Sequence, residues 1–213
     1  MMIKTDPINF IKNILNCGGQ VHYMPNGGNL GDNLIAASTI QQFQVAGLPW
    51  RMMVGGKENL KENDILVYGG GGALVPLYEG GIDCLKFLLG LGRRVVVLPH
   101  TVRGHEDFWA TASNLTVFCR DICSFEYLRN FKNIEVFLSD DMATRMSLNL
   151  DPFLGIKDIA LAVKKEFPEP RILNAFRKDG ESLLKYQREG IDLSDYPMAD
   201  LKSVASIYAK AVF

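Results

Sequence analysis

The sequence DILVYGGGG, residues 64–72, joins a continuous apolar run to four successive glycines. A short run that is apolar at every position is typical of a strand buried on both faces of a parallel sheet. Four glycines lose more backbone entropy on folding than a simple connection requires. We therefore expect a buried strand here, followed by the close approach of a ligand or of a neighbouring backbone.

The same order of short β-branched run, turn rich in Gly or Asp, and helical stretch repeats on both sides of this segment. Strands are predicted at 21–24, 51–54, 64–68, 94–98, 115–119, 134–138 and 171–176. Helices are predicted at 33–46, 83–91, 106–113, 124–130, 156–167 and 198–212. Asp32 is placed to cap the first of these helices and Ser124 to begin the fourth. This alternation predicts an α/β fold, with a Rossmann-like parallel sheet and helices on both faces.

The domain organisation follows from two interruptions of that order. The pattern pauses at Asp151 and Pro152, and it resumes after Pro168, Glu169 and Pro170. We predict a Rossmann-like N-terminal domain over residues 1–168. Residues 169–213 are too few for a core of their own, so they are predicted to form a partial second domain or a C-terminal extension.

Composition excludes several classes of protein. The chain has 213 residues, of which 47% are hydrophobic and 22% charged, and this balance is too apolar for a disordered chain. A net charge of -1 provides no general attraction for nucleic acid. No apolar stretch reaches the roughly 20 residues of a membrane span, and the amino terminus lacks a signal-peptide pattern. We expect a cytoplasmic protein without a membrane span.

Cysteine and histidine spacing argues against a metal site. The four cysteines are far apart except for Cys119 and Cys123, and the three histidines are not paired with them. A zinc site would need a second close pair of ligands. Reduced, mostly structural thiols are the expectation.

The unusual polar and glycine-rich segments follow predicted strands. These segments are GGNLGDN (27–33), GGGG (69–72), PHTVRGH (99–105), RDICSFE (120–126) and SDDMA (139–143). In an open parallel sheet, ligands bind outside the carboxyl ends of the strands, where helix amino termini favour anions. The first segment does not have the spacing of the dinucleotide-binding GxGxxG motif.

Each segment also has a purely structural interpretation. Asp32 caps a turn or faces a ligand, and Arg120 clamps an anion or pairs with Asp121 or Glu126. Asp140 and Asp141 bind a cation, act as a base, or cap turns. These alternatives remain open from the residues alone.

Taken in order, the motifs GNLGDNLI, GGGGALVPLY, VVVLPHTVRG, CRDICSFEYL and FLSDDMA resemble the strand-end motifs of the polysaccharide pyruvyl transferase family. NAFRKDGES, residues 174–182, resembles the opening of that family's second domain. The resemblance implies two facing Rossmann-like domains in a GT-B-like architecture. It implies transfer of a pyruvyl unit from phosphoenolpyruvate, the donor substrate, to a saccharide acceptor of a cell-surface or extracellular polysaccharide. It implies no cofactor, and the spacing of Cys and His and the net charge predict no metal and no nucleic acid.

The resemblance also implies roles for individual residues. It places His100, Asp32 and Asp140 as candidate catalytic residues. The candidate substrate-binding residues are Asn29, Gly31, Gly70, Gly71, Gly72, Thr101, Arg120, Ser124, Glu126 and Arg177. Arg120 and Arg177 would bind the anionic donor, because a guanidinium group matches carboxylate and phosphate geometry.

The chain departs from the family by ending before the Arg-Leu-His segment expected late in the second domain. A truncated transferase is therefore expected. The alternatives are a GT-B-like glycosyltransferase that uses a nucleotide sugar, and a non-catalytic fragment or binding module. Peripheral association with a membrane-bound polysaccharide assembly and formation of a homo-oligomer both remain open.

Overall fold

The computed structural model describes residues 3–27, 30–53, 59–78 and 80–146. These residues belong to one compact unit, Met1–Ser147. The predicted domain boundary at 168 and 169, the strand at 171–176 and the helices at 156–167 and 198–212 lie outside the described residues. Those predictions are not tested.

Strands and helices alternate along the described chain. The helices are α1 (Pro7–Ile14), α2 (Leu30–Val45), α3 (Gly80–Gly90), α4 (Glu106–Thr111) and α5 (Ile122–Leu128). The strands are β1 (Val21–Met24), β2 (Trp50–Met52), β3 (Ile65–Tyr68), β4 (Gly71–Leu74), β5 (Arg94–Val102), β6 (Leu115–Cys119) and β7 (Glu135–Leu138). A 3₁₀ helix, Met142–Arg145, follows β7.

The strands form one seven-stranded sheet in the order β2-β1-β3-β5-β6-β7, with β4 paired to β5. Every strand pairing is parallel. The predicted Rossmann-like α/β fold is therefore confirmed. The order of strands changes direction between β1 and β3, and a crevice opens at such a switch point outside the carboxyl ends of the strands.

Helices cover both faces of this sheet. On one face, Phe43 of α2 packs edge-on against Tyr23, and Phe10 of α1 packs against Phe118. The opposite face packs against α3, α4 and α5, whose core residues are Leu85, Leu88, Trp109 and Leu128, together with Ala112 at the C-cap of α4. All residues from Val95 to Leu98 are fully buried, which explains why β5 has no polar alternation.

β4 continues the path of β3 after a break at Gly69 and Gly70. Ile65 pairs with Arg94 and Gly71 pairs with His100, so β4 begins in the register of β3 against β5, and the register then shifts before Leu74 pairs with Val102. β5 therefore runs to Val102, beyond its predicted end at residue 98. His100 and Thr101 lie within a strand and not in the predicted loop, because β4 supplies backbone partners there.

Three predicted helix starts were wrong. α3 begins at Gly80 and not at residue 83, and the other two are those of α2 and α5. α2 begins at Leu30, so Asp32 lies inside its first turn and does not cap it. α5 begins at Ile122 with Asp121 as its N-cap, and the Asp121 side chain accepts a hydrogen bond from the Ser124 backbone amide. In both cases the helix extends toward the strand before it, because the connecting turn is shorter than predicted.

α1 was not predicted from the sequence. Asp6 caps it by accepting hydrogen bonds from the amides of Ile8 and Asn9, and Pro7 occupies its first position. Ile8 and Ile11 are its buried residues besides Pro7. Across the described ranges, no helix has both the length and the apolar character that crossing a bilayer requires.

Candidate functional site

Polar side chains from five segments meet at the carboxyl ends of the strands, around the switch point between β1 and β3. We call this set the switch-point cluster. Its members are Asn26, Asp32, Tyr68, Gly71, Gly72, His100, Thr101, Arg120 and Asp141. The parallel sheet brings them together because all the strands end at the same edge.

A chain of two hydrogen bonds links the core to the surface within this cluster. The Tyr68 hydroxyl donates to Asn26 Oδ1 at 3.0 Å, and Asn26 Nδ2 donates to Asp32 Oδ1 at 3.1 Å. Burial raises the pKa of Tyr68, with smaller contributions from Cys84 and Asp32, so its hydroxyl remains a donor. The two bonds together define which way the Asn26 amide points.

The four glycines of the GGGG segment are required for different structural reasons. A Cβ on Gly69 would lie 2.5 Å from the Asn26 backbone nitrogen, and one on Gly70 would lie 2.8 Å from the Pro99 carbonyl oxygen. At these two positions the close approach is therefore that of a neighbouring backbone, one of the two expected alternatives. Gly70 is buried beneath that backbone.

Gly71 and Gly72 instead face polar side chains. Gly71 has a φ of +140°, and a Cβ there would lie 2.8 Å from both Asn26 Nδ2 and Asp32 Oδ1. A Cβ on Gly72 would lie 3.3 Å from Arg120 Nη2. These two glycines leave room for the charged and amide groups of the cluster.

The guanidinium group of Arg120 is held on two sides. Its Nε donates to Thr101 Oγ1 at 2.8 Å, and its Nη1 donates to Asp141 Oδ2 at 2.8 Å. Within the described ranges, no hydrogen-bond acceptor contacts Nη2, and the side chain is 31% exposed. A fixed guanidinium with one open amino group is suited to binding a carboxylate or phosphate.

His100 is fully buried, and among the described residues neither ring nitrogen has a hydrogen-bond partner. Its ring stacks on Tyr68, with 5.6 Å between centroids and 16° between planes. Burial and the positive charge of Arg120 lower the pKa of His100 to about 3, although backbone groups of Leu98 and Gly69 oppose the shift. The imidazole is therefore neutral at pH 7. This state suits orientation through a hydrogen bond better than donation of a proton.

Ser124, one of the predicted site residues, makes hydrogen bonds that connect elements of the fold. Ser124 is buried, donates to Asp121 Oδ2 at 2.7 Å and accepts from the Val102 amide at 2.9 Å. Arg103 also donates to the Ser124 hydroxyl at 2.7 Å. Ser124 thereby joins the end of β5 to the start of α5.

Other predicted residues lie outside the cluster. Asp140 forms an exposed ion pair with Lys4, and Glu126 pairs with Arg129 one turn along α5. Gly31 lies in the exposed first turn of α2. Asn29 and Arg177 lie outside the described residues. Asp141 caps the 3₁₀ helix, as one of the alternatives had it, and it also pairs with Arg120, which was expected to pair with Asp121 or Glu126.

Asn26 and Tyr68 were not predicted as site residues. Tyr68 is the last residue of β3 and Asn26 lies two residues beyond β1, so both stand at strand ends. Polar atoms at the end of a buried strand were the available signal. In the part of the chain that the structure describes, no three His, Cys, Asp or Glu side chains are arranged to hold a metal ion.

A second polar network lies at the opposite, amino-terminal end of the sheet. His22 Nε2 lies 2.9 Å from Asp64 Oδ2, and Arg51 Nε donates to His22 Nδ1 at 3.2 Å. Because an arginine nitrogen only donates, Nδ1 accepts and the ring proton is on Nε2. Asp64 also accepts from the backbone amides of Gln20 and Lys61. This network joins β1 to the turn before β3.

Comparison with known proteins concerns the fold alone. No family model matches the sequence, and no curated protein matches it. A crystal structure of a functionally uncharacterised protein from Klebsiella pneumoniae subsp. pneumoniae NTUH-K2044 is similar, with a TM-score of 0.63 and 31% sequence identity over 82% of this chain. The match covers 64% of that protein, so this chain spans less than two thirds of its length. The similarity supports the α/β, Rossmann-like fold.

Proposed function

We propose that this chain supplies the Rossmann-like domain of a transferase that moves a pyruvyl unit from phosphoenolpyruvate to a saccharide. The observation that supports the proposal best is the Arg120 guanidinium, which Thr101 and Asp141 hold at the carboxyl ends of the strands. Phosphoenolpyruvate carries a carboxylate and a phosphate, and the open Nη2 of Arg120 suits either group. The motif resemblance selects this donor among other small anions.

The proposed reaction converts two saccharide hydroxyls and phosphoenolpyruvate into a pyruvyl ketal and inorganic phosphate. Both new C–O bonds form at C2 of the pyruvyl unit, and the bond from C2 to the phosphate oxygen breaks. One hydroxyl proton ends on C3, which becomes a methyl group, and the other leaves with phosphate. Asp32 is the candidate acceptor for a hydroxyl proton. Neutral His100 is assigned to orientation.

The proposal includes a second Rossmann-like domain in a GT-B-like arrangement, of which residues 169–213 form the beginning. The donor would bind between the two domains, and Arg177 would contact it from the second. Asn29 would line the acceptor side, and Asp140 remains a weaker candidate base. The enzyme would act in the cytoplasm, alone or peripheral to a polysaccharide assembly at the membrane.

A nucleotide-sugar glycosyltransferase is the second candidate. The observation that favours it is the switch point of the strand order, which lies beside a glycine-rich segment and the start of α2, because such a position suits a diphosphate. Diphosphate and phosphoenolpyruvate are both anions that Arg120 could contact. Binding measurements separate the two candidates.

Isothermal titration tests the proposal. Phosphoenolpyruvate and a uridine diphosphate sugar are titrated separately into the wild type, into Arg120→Gln, and into Arg129→Gln as a control on the exposed face of α5. We expect phosphoenolpyruvate to bind, and Arg120→Gln to weaken binding by at least about tenfold because a charge-assisted hydrogen bond is lost. The control should bind like the wild type.

The other possible results of the two titrations would favour the alternative functions. Binding of the nucleotide sugar without phosphoenolpyruvate would favour the glycosyltransferase. Binding of neither would favour a non-catalytic module. Amide NMR spectra of Arg120→Gln show whether the loss of the Asp141 contact disturbs the fold, so that an unfolded variant is not mistaken for a binding defect.

A further inference from the structure

The hydrogen-bonded chain from Tyr68 through Asn26 to Asp32 runs from the core toward the surface, and packing alone does not require such a path. Tyr68 is 2% exposed and Asn26 is 8% exposed, whereas Asp32 is only half-buried. The chain thus begins at a hydroxyl in the core and ends at a half-buried carboxylate in the first turn of α2. Residues 26 and 68 are separated by 42 positions, so the contact depends on the pairing of β1 with β3.

The Gly71 backbone provides independent support for this arrangement. At a φ of +140°, its missing Cβ would lie 2.8 Å from each of the two atoms that form the bond between Asn26 and Asp32. Any side chain at position 71 would push these atoms apart. β4, whose Gly71 pairs with His100, therefore begins with a residue that leaves room for the bond between Asn26 and Asp32.

We propose that Tyr68 and Asn26 are positioning residues, which hold the Asp32 carboxylate in the orientation that accepts a proton from a saccharide hydroxyl. This inference rests on the proposed function. Asn26 Nδ2 donates a hydrogen bond to Oδ1 of Asp32. The Tyr68 hydroxyl donates to Asn26 Oδ1, and this bond prevents rotation of the Asn26 amide. The carboxylate is thereby restricted in rotation about its Cβ–Cγ bond.

In this step the proton of the saccharide hydroxyl passes first to Asp32 and then to phosphate. As the saccharide oxygen forms its bond to C2 of the pyruvyl unit, its O–H bond breaks and the proton moves to Asp32. That proton leaves later with phosphate, which restores the carboxylate. Asp32 lies in the first turn of α2, where the helix dipole favours the negative charge that this step requires.

The test compares Tyr68→Phe and Asn26→Ser with Tyr127→Phe. Tyr68→Phe removes one hydroxyl and retains the ring that stacks on His100. Tyr127→Phe is the matched control, because its hydroxyl donates to the Gly104 carbonyl outside the cluster. Phosphate release is measured with the full chain, phosphoenolpyruvate and a panel of methyl glycosides at several pH values.

We expect both cluster variants to lower kcat by about tenfold, since a misdirected carboxylate loses near-attack geometry. The KM for phosphoenolpyruvate should be unchanged, and the acidic limb of the pH profile should move. Tyr127→Phe should stay within about twofold of the wild type. Equal rates and equal pH profiles for Tyr68→Phe and Tyr127→Phe would overturn the inference.

A second measurement keeps the inference testable if no glycoside releases phosphate, which would count against transferase activity of this chain. The Asn26 side-chain amide signals are followed by NMR through an acid titration. In the wild type they should respond to ionisation of Asp32, and Tyr68→Phe should shift and broaden them. Signals that change neither during the titration nor on substitution of Tyr68 would show that Asn26 does not orient Asp32. The positioning role would then be wrong.

Discussion

At the residue scale, buried polar groups at the two ends of the sheet have different hydrogen-bond status. Asp64 and His22 at the amino-terminal end are satisfied by each other and by neighbouring groups. At the carboxyl end, both nitrogens of His100 lack a partner among the described residues, at a cost of about 1–3 kcal/mol for such a group. Satisfied buried networks stabilise a fold, whereas the unsatisfied His100 next to Arg120 supports the proposal that a ligand binds at the carboxyl end.

The Asp64 network gives a prediction for stability. We expect Asp64→Asn to lower the free energy of unfolding by about 2 kcal/mol at pH 7, because the carboxylate bonds to His22 and to two backbone amides are weakened. Urea denaturation followed by circular dichroism measures the change. Asp83→Asn is the control, since Asp83 pairs with Lys86 on an exposed surface and should change stability by less than about 0.5 kcal/mol.

The effect of Asp64 should depend on pH. Burial would raise the pKa of Asp64, but hydrogen bonds from the Lys61 and Gln20 amides and from His22 outweigh it and hold the pKa below its usual value. A lowered pKa stabilises the fold above the unfolded value of about 4 and loses that contribution as pH falls. The gap between wild type and Asp64→Asn should therefore narrow below about pH 4. A gap that stays constant to pH 3 would contradict the assignment.

At the element scale, the break between β3 and β4 depends on glycine. We expect Gly71→Ala to lower the free energy of unfolding by about 2 kcal/mol, because its φ of +140° is strained for alanine and its Cβ would collide with Asn26 and Asp32. Gly90→Ala is the control at the end of α3, where a Cβ meets no atom within 4 Å. That control should be neutral or stabilising by up to about 1 kcal/mol. Thermal denaturation distinguishes the two, and equal losses would contradict this account.

At the scale of the whole described unit, the amino-terminal segment is joined to the region after β7. The Thr5 amide donates to the Leu138 carbonyl at 2.8 Å, and Arg145 donates to Asp6 Oδ2 at 2.7 Å. Asp6 also caps α1 through its other oxygen. One side chain therefore joins the beginning of the unit to its last described helix.

We expect Asp6→Ala to lower the free energy of unfolding by about 1–2 kcal/mol, because both the cap and the ion pair are lost. Asp6→Asn retains a capping oxygen and should lose about half as much. Chemical denaturation of the two variants separates the contributions. An Asn variant as unstable as the Ala variant would show that the ion pair dominates and that the cap contributes little.

Local sequence patterns were enough to predict most of the strands and helices and the class of fold. The apolar runs at 64–68, 94–98 and 115–119 predicted buried parallel strands, and each lies in the sheet, because hydrophobic periodicity is a local property of the chain. α1 and β4 were missed. α1 is short, and β4 begins with two glycines that have no strand propensity of their own.

Which polar residues contact one another could not be predicted from local patterns and depends on the folded sheet. Asn26 with Tyr68, and Arg120 with Asp141, are brought together by strand order and register, which local spacing does not encode. The same holds for the glycines, since Gly69 and Gly70 face neighbouring backbone whereas Gly71 and Gly72 face side chains of the cluster. Contacts between distant positions depend on how the whole sheet is assembled, and that assembly is a property of the complete packed core.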